Sequence, residues 1–208
     1  MITVYGVPPT RALRVLWMLE EMELPYKVRR VDFATRHEDA DFIAVNPVGT
    51  FPAIQDGKVT MTESCAILEY LAARYGPTTL VPAPHDPAYP DYLTFLHFGE
   101  ASLAGPMNVI VASALRAPEG QKQNWGATHA VDNFVRKSAV LVRRLNESPY
   151  LAGPNFTAAD ISCAYALGLA RVIGAEDDLD PVLGEYMDRL TARPAFERAS
   201  AHWTPLLA

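Results

Sequence analysis

No part of this chain limits its fold as tightly as the stretch from Asn46 to Ile67. Pro47 and Gly49 mark a loop, and Phe51-Pro52 opens a strand. Pro52 reads as a strand's first residue, where its missing N–H is tolerated. Asp56-Gly57 predicts a two-residue hairpin turn between Ala53-Ile54-Gln55 and Lys58-Val59-Thr60-Met61. Glu63-Ser64 follows at once, ahead of Leu68, Leu71, Ala72 and Tyr75 at helical spacing. Thr62 or Ser64 suits the N-cap of that helix, and Glu63 suits its first turn.

The preceding residues supply the rest of a small sheet. Ile2-Thr3-Val4-Tyr5 reads as a strand and Gly6-Val7-Pro8-Pro9-Thr10 as a turn, with Thr10 as N-cap. Ala12, Val15, Leu16 and Leu19 lie on one face of a helix from Arg11 to Met22. Pro25-Tyr26 ends it, and Lys27 to Val31 reads as a second strand, parallel to the first because a helix joins them. The order is therefore β-α-β followed by β-β-α over residues 1–76. Five prolines between Gly76 and Pro90 make residues 77–90 a linker.

Residues 91–208 then read as all-helical. The helical pattern from Tyr92 to Leu115 is interrupted at Gly105-Pro106, where a kink or break is expected. A long amphipathic stripe runs from Val131 to Leu145, and Asp180-Pro181 starts a later helix with Leu183, Tyr186, Met187 and Leu190 on its apolar face. Arg193-Pro194 breaks the chain before a final short helix. Thr157 with Asp160 three residues on forms a capping-box pattern, and Phe156 with Ile161 can staple it.

A helix N-terminus offers free N–H groups and about half a positive charge. The Ser64 hydroxyl and N–H can take a carboxylate there, and Glu63 can take an ammonium. The α-amino acid end of a small ligand carries both groups. If the bond before Pro52 is cis, the Phe51 backbone is turned outward and can pair with a peptide. The net charge of -6, without a long basic run, disfavours nucleic acid. No apolar run approaches the roughly 20 residues of a membrane span, and Met1 to Tyr5 lacks a signal peptide's basic start, so a cytoplasmic location is expected. Cys65 and Cys163 suggest no disulfide framework, and the five histidines show no metal-ligand spacing, so no metal is expected.

Val48-Gly49-Thr50-Phe51-Pro52-Ala53-Ile54, followed by Glu63-Ser64-Cys65-Ala66-Ile67, resembles the glutathione-binding signature of the cytosolic glutathione transferases. Thr157-Ala158-Ala159-Asp160 resembles that family's capping motif at a buried helix of its second domain. Tyr92 to Glu100 is similar to a bacterial and fungal subgroup. The resemblance implies a thioredoxin-like first domain, an all-α helical bundle as the second, and a homodimer. It implies that Pro52 is cis, that the Phe51 backbone pairs with the cysteinyl part of glutathione, and that Glu63 and Ser64 hold the γ-glutamyl end. Thr50 stands where the family often has a basic residue, and Phe51 where it often has Val.

Glutathione is thus the expected co-substrate, and its thiol must become a thiolate. That thiol has a pKa of about 8.5, and lowering it by about two units requires about 2.7 kcal/mol. One charge-assisted hydrogen bond supplies about 1.5–3 kcal/mol, so one hydroxyl suffices. Thr10, at the turn-to-helix junction used by the family's serine-type members, and Tyr5, where other classes keep a tyrosine, are the alternatives, with neither as a third. Arg11, Arg14 and His37 can reach the glycyl carboxylate or support the site, but read more readily as surface groups. Val7, Pro8, Phe95, Phe98, Leu103 and Met107 are candidates for an acceptor pocket between the domains. The implied activity is conjugation of glutathione to hydrophobic electrophiles. The alternatives are a glutathione-binding protein without turnover, or a glutathione-dependent isomerase or peroxidase. A turn without cysteine disfavours a reductase.

Overall fold

The computed structural model describes residues 1–122, 124–174, 176 and 179–203. They form two compact units, one of Met1–Thr78 joined by the chain from Ala192 onward, the other of Thr79–Thr191.

The first unit runs β1 (Ile2–Tyr5), α1 (Ala12–Glu21), β2 (Tyr26–Arg29), α2 (Ala40–Val45), β3 (Ala53–Asp56), β4 (Val59–Thr62) and α3 (Ser64–Tyr75). The sheet order is β2-β1-β3-β4, with β1 parallel to β2 and antiparallel to β3. Alternation sends Ile2, Val4 and Ile54 to one face, and Tyr5 and Ala53 to the other. Tyr5 and Ala53 join Val31 and Phe42 in a small core.

Several local expectations need correcting. β2 starts one residue early and ends at Arg29, because Val31 turns away into that small core. Asp56 pairs with Val59, so the hairpin turn is Gly57-Lys58, with φ +60° at Gly57, rather than Asp56-Gly57. Helix α2 escapes the periodicity because it is six residues long and buries only Phe42. Asp39 caps it by accepting from the Phe42 N–H at 2.9 Å. Arg11, not Thr10, holds the N-cap position of α1, although the Thr10 hydroxyl oxygen still accepts from the Ala12 N–H at 3.3 Å. The N-cap of α3 is Glu63, with Thr62 still in β4 and Ser64 the first helical residue.

The second unit contains α4 (Tyr89–Phe98), α5 (Gly105–Arg116), α6 (Trp125–Leu145), α7 (Ala158–Val172) and α8 (Pro181–Thr191). Tyr89 and Pro90, expected in the linker, already belong to α4. A π-helical stretch, Gly99–Ala104, joins α4 to α5, which itself begins on Gly105-Pro106. The break expected at that dipeptide is thus absorbed by a wider turn before it. At Gly99 a side chain would come within 2.4 Å of the Ser162 hydroxyl on α7, and that hydroxyl donates to the Leu96 carbonyl at 2.7 Å.

The capping box is formed. Asp160 is fully buried and accepts from the N–H groups of Leu151 and Thr157, the Thr157 hydroxyl and the Tyr186 hydroxyl. Burial pushes its carboxyl up, against the pull of those four donors.

The last helix, α9 (Pro194–Ser200), groups with the first unit, which corrects its expected place in the helical bundle. Consecutive carboxylates at the end of α1 hold it. Arg193 makes two bonds to Glu21, at 2.6 and 2.7 Å, and Arg198 bonds Glu20 at 2.5 Å. Phe196 packs edge-on against Trp17, whose indole N–H donates to Glu21.

Candidate functional site

Three segments of the first unit carry most of the residues predicted to meet glutathione. In the 46–52 loop, Asn46 is fully buried; its side-chain amide donates to the Thr50 carbonyl at 2.6 Å and accepts from the Val48 N–H at 3.1 Å. Gly49 takes φ +70°, and a side chain there would meet the His37 ring at 2.5 Å. His37 is exposed, and its ring lies against Gly49. Arg36 donates from Nε to the Gly49 carbonyl at 2.9 Å and from Nη1 to the Phe33 carbonyl. Asn46 and Arg36 thus pin the loop from its two sides. Thr50 is exposed, with its hydroxyl 3.4 Å from the Asn46 amide.

The Phe51–Pro52 bond is cis, as are Pro8–Pro9 and Gly76–Pro77. The Phe51 ring stacks on Phe42, with centroids 5.1 Å apart, and lies so close to Gly6 that a side chain at Gly6 would come within 2.8 Å of it. The small core and the β1–α1 turn therefore meet at Phe51.

At the start of α3, Glu63 is exposed and has φ 66° and ψ 102°, a left-handed conformation rare for a residue with a side chain. Such backbone costs about 1–3 kcal/mol, and it persists only where its surroundings impose it. Its side chain makes no capping bond to the helix. Ser64 is buried, and its hydroxyl oxygen accepts from Arg14 Nη1 at 3.0 Å. Arg14 itself is fully buried on α1, which corrects its reading as a surface group. The sequence does carry a signal for this, since Arg14 is the single charge in the apolar run Ala12–Leu19.

The β1–α1 turn holds the two hydroxyl candidates. Thr10 is half-buried, and its hydroxyl donates to the Val7 carbonyl at 2.6 Å. Tyr5 is buried in the small core and donates to the Gln55 side chain at 3.2 Å. Arg29 lies 5.4 Å from the Tyr5 ring centre and hydrogen-bonds Asp39, which holds the Asp39 carboxyl below its ordinary range. Arg11 is half-buried beside Thr10. Of the acceptor candidates, Pro8 is buried and Val7 half-buried in the first unit. In the second unit Phe98 is half-buried against Phe95, whereas Leu103 and Met107 expose nothing, which makes them core side chains.

Among the described residues no group of three or more His, Cys, Asp or Glu is placed to hold a metal ion. No helix among them is long and apolar enough to cross a membrane.

The glutathione S-transferase N-terminal domain family matches residues 1–73, and the C-terminal domain family matches residues 113–189. A fission yeast protein named glutathione S-transferase 3 is 31% identical over 82% of this chain and 75% of its own. The maize protein named glutathione S-transferase 3 is 30% identical over 96% of this chain and 93% of its own. A solved glutathione transferase from Burkholderia graminis, with two glutathione molecules bound per subunit, superimposes with a TM-score of 0.85 at 26% identity, covering 100% of this chain and 89% of its own.

Proposed function

Because this chain belongs to the glutathione S-transferase family, we propose that its first unit binds glutathione and activates the thiol for transfer to a hydrophobic electrophile. The observation that carries this reading is the start of α3. There Glu63 stands exposed in a conformation that costs energy and gives the helix no cap, while Ser64 beside it is backed by a buried arginine. A position that is unfavourable for the fold and useful to an α-amino acid ligand marks a binding site. Glu63 takes the ammonium of the γ-glutamyl end. Ser64 and the first N–H groups of α3 take its carboxylate. The Phe51 backbone pairs with the cysteinyl residue, and His37, Arg11 and Thr50 lie toward the glycyl end.

The thiol then falls to the turn before α1. The Thr10 hydroxyl donates to the Val7 carbonyl at 2.6 Å. A neutral hydrogen bond is worth about 0.5–1.5 kcal/mol net, whereas one to a charged group is worth about 1.5–3 kcal/mol. A thiolate in reach of Thr10 outcompetes the carbonyl by about 1–2 kcal/mol. Thr10 is therefore the activating donor, and the free N–H groups at the start of α1 assist. Tyr5, held in the small core by Gln55, is the weaker candidate. Val7 and Pro8 contribute to the acceptor pocket, and the protein works as a cytoplasmic homodimer.

A second reading has an observation in its favour. The Thr10–Val7 bond at 2.6 Å leaves no donated proton for a thiolate until it breaks, which suits a protein that binds glutathione without turnover. Conjugation of glutathione to an activated aryl halide separates the two. The transferase reading expects turnover, with the Michaelis constant for glutathione raised strongly by Ser64→Ala. Binding of glutathione with no turnover on aryl halides, epoxides or peroxides contradicts it.

A further inference from the structure

Helix α1 is wrapped in apolar contacts, yet its Arg14 lies in the middle of them with no exposed surface. A guanidinium cannot shed its proton, so a permanent positive charge sits inside the first unit. Burying such a charge is costly unless hydrogen-bonding partners compensate it. One of its N–H groups reaches the hydroxyl oxygen of Ser64 at 3.0 Å. That oxygen belongs to the first residue of α3, where the helix's own N–H groups are free of intrahelical partners.

The direction of this bond matters. A serine hydroxyl has one proton and two lone pairs. Arg14 donates, so it takes a lone pair and drives the hydroxyl proton away from itself. The hydroxyl proton is thereby kept for an acceptor other than Arg14, next to the exposed Glu63 in sequence. A charged donor also polarises the hydroxyl and strengthens the bond that the hydroxyl makes in turn. Ser64 alone is a neutral and rotatable donor. Backed by Arg14 it is a fixed donor with a positive charge behind it.

We propose that Arg14 is a positioning residue for the ligand's α-carboxylate: acting through Ser64, it makes the start of α3 selective for an amino acid end that carries both charges. This rests on the glutathione reading and deepens it. Glu63 selects the ammonium and the Arg14–Ser64 pair selects the carboxylate.

The test compares glutathione with 4-aminobutanoyl-cysteinyl-glycine, which is glutathione without the γ-glutamyl carboxylate, by titration calorimetry. The wild type is expected to prefer glutathione by about tenfold or more, the scale of one charge-assisted bond. Arg14→Met is expected to abolish that preference while leaving affinity for the decarboxylated ligand within about twofold, and Arg14→Lys to keep part of it. A merely structural Arg14 weakens both ligands together, and that result, or a preference that survives Arg14→Met, overturns the proposal. Should Arg14→Met fail to fold, Arg14→Gln, which keeps an N–H donor toward Ser64 but removes the charge, decides: a preference cut to about twofold or less supports the relay, and an undiminished preference refutes it. Failure of the wild type to bind either ligand overturns the glutathione reading itself, and the relay with it.

Discussion

Replacing Glu63 by glycine is expected to make the protein more stable and a poorer binder of glutathione at once. Glu63 holds φ 66° with its side chain exposed and no cap bond to α3. A side chain in that region costs about 1–3 kcal/mol. Glycine removes the strain but gives the unfolded chain about 0.4–1 kcal/mol of extra freedom. The net gain is about 0.5–2 kcal/mol, or a melting temperature higher by about 1–8 °C for a chain of this size. Glu63→Ala keeps the Cβ and therefore the strain, so it gains nothing. Both variants lose the carboxylate that meets the ligand's ammonium, a charge-assisted bond worth about 1.5–3 kcal/mol, and so bind glutathione roughly 10- to 100-fold more weakly. Calorimetric melting of the unliganded proteins and titration with glutathione read the two effects separately. A glycine variant no more stable than the alanine variant refutes the strain argument. Undiminished affinity in both refutes the assignment of the ammonium.

Asp160→Ala is expected to cost at least about 3 kcal/mol in denaturant unfolding, since it strands the buried N–H groups of Leu151 and Thr157 and the Tyr186 hydroxyl, each at about 1–3 kcal/mol. Gly49→Ala is expected to weaken glutathione binding in titration calorimetry, because φ +70° disfavours a side chain and the new methyl displaces the His37 ring. At Glu20, burial raises the carboxyl pKa, but the hydrogen bonds from Tyr26 and Arg198 outweigh it and leave it below its ordinary 4.5. A depressed carboxyl stabilises the fold above pH 4.5 and loses that contribution as the pH falls through its folded value. Melting curves below that pH should therefore show Glu20→Gln less sensitive to acid than the wild type; equal sensitivity counts against the clasp on α9.

What the sequence makes legible here is what local rules decide. Pro52 and the glycine-marked hairpin fix β3 and β4 to within a residue, and Ser64 marks the start of α3. Turn chemistry and helical period act over a few neighbours, and both are visible in one dimension. Asn46 and Arg36 escape assignment, and Arg14 reads more readily as a surface group, because their roles depend on partners brought close by folding, Arg14 and Ser64 being 50 residues apart. Glu63 is readable as a ligand for an ammonium but not as a strained residue, since nothing in its identity foretells a left-handed backbone. α2 falls below the length at which periodicity speaks, and α9 joins the first unit through carboxylates on α1 that look like an ordinary solvated pair.

On the proposed reading this chain turns bound glutathione into a thiolate, with Thr10 as donor. Ultraviolet absorbance of the bound thiolate, titrated with pH in the wild type and in Thr10→Ala, measures it directly. The bound thiol is expected to titrate about two units below the free value of about 8.5, and to return toward that value when the Thr10 hydroxyl is removed. Bound glutathione that titrates like the free thiol in both proteins contradicts it.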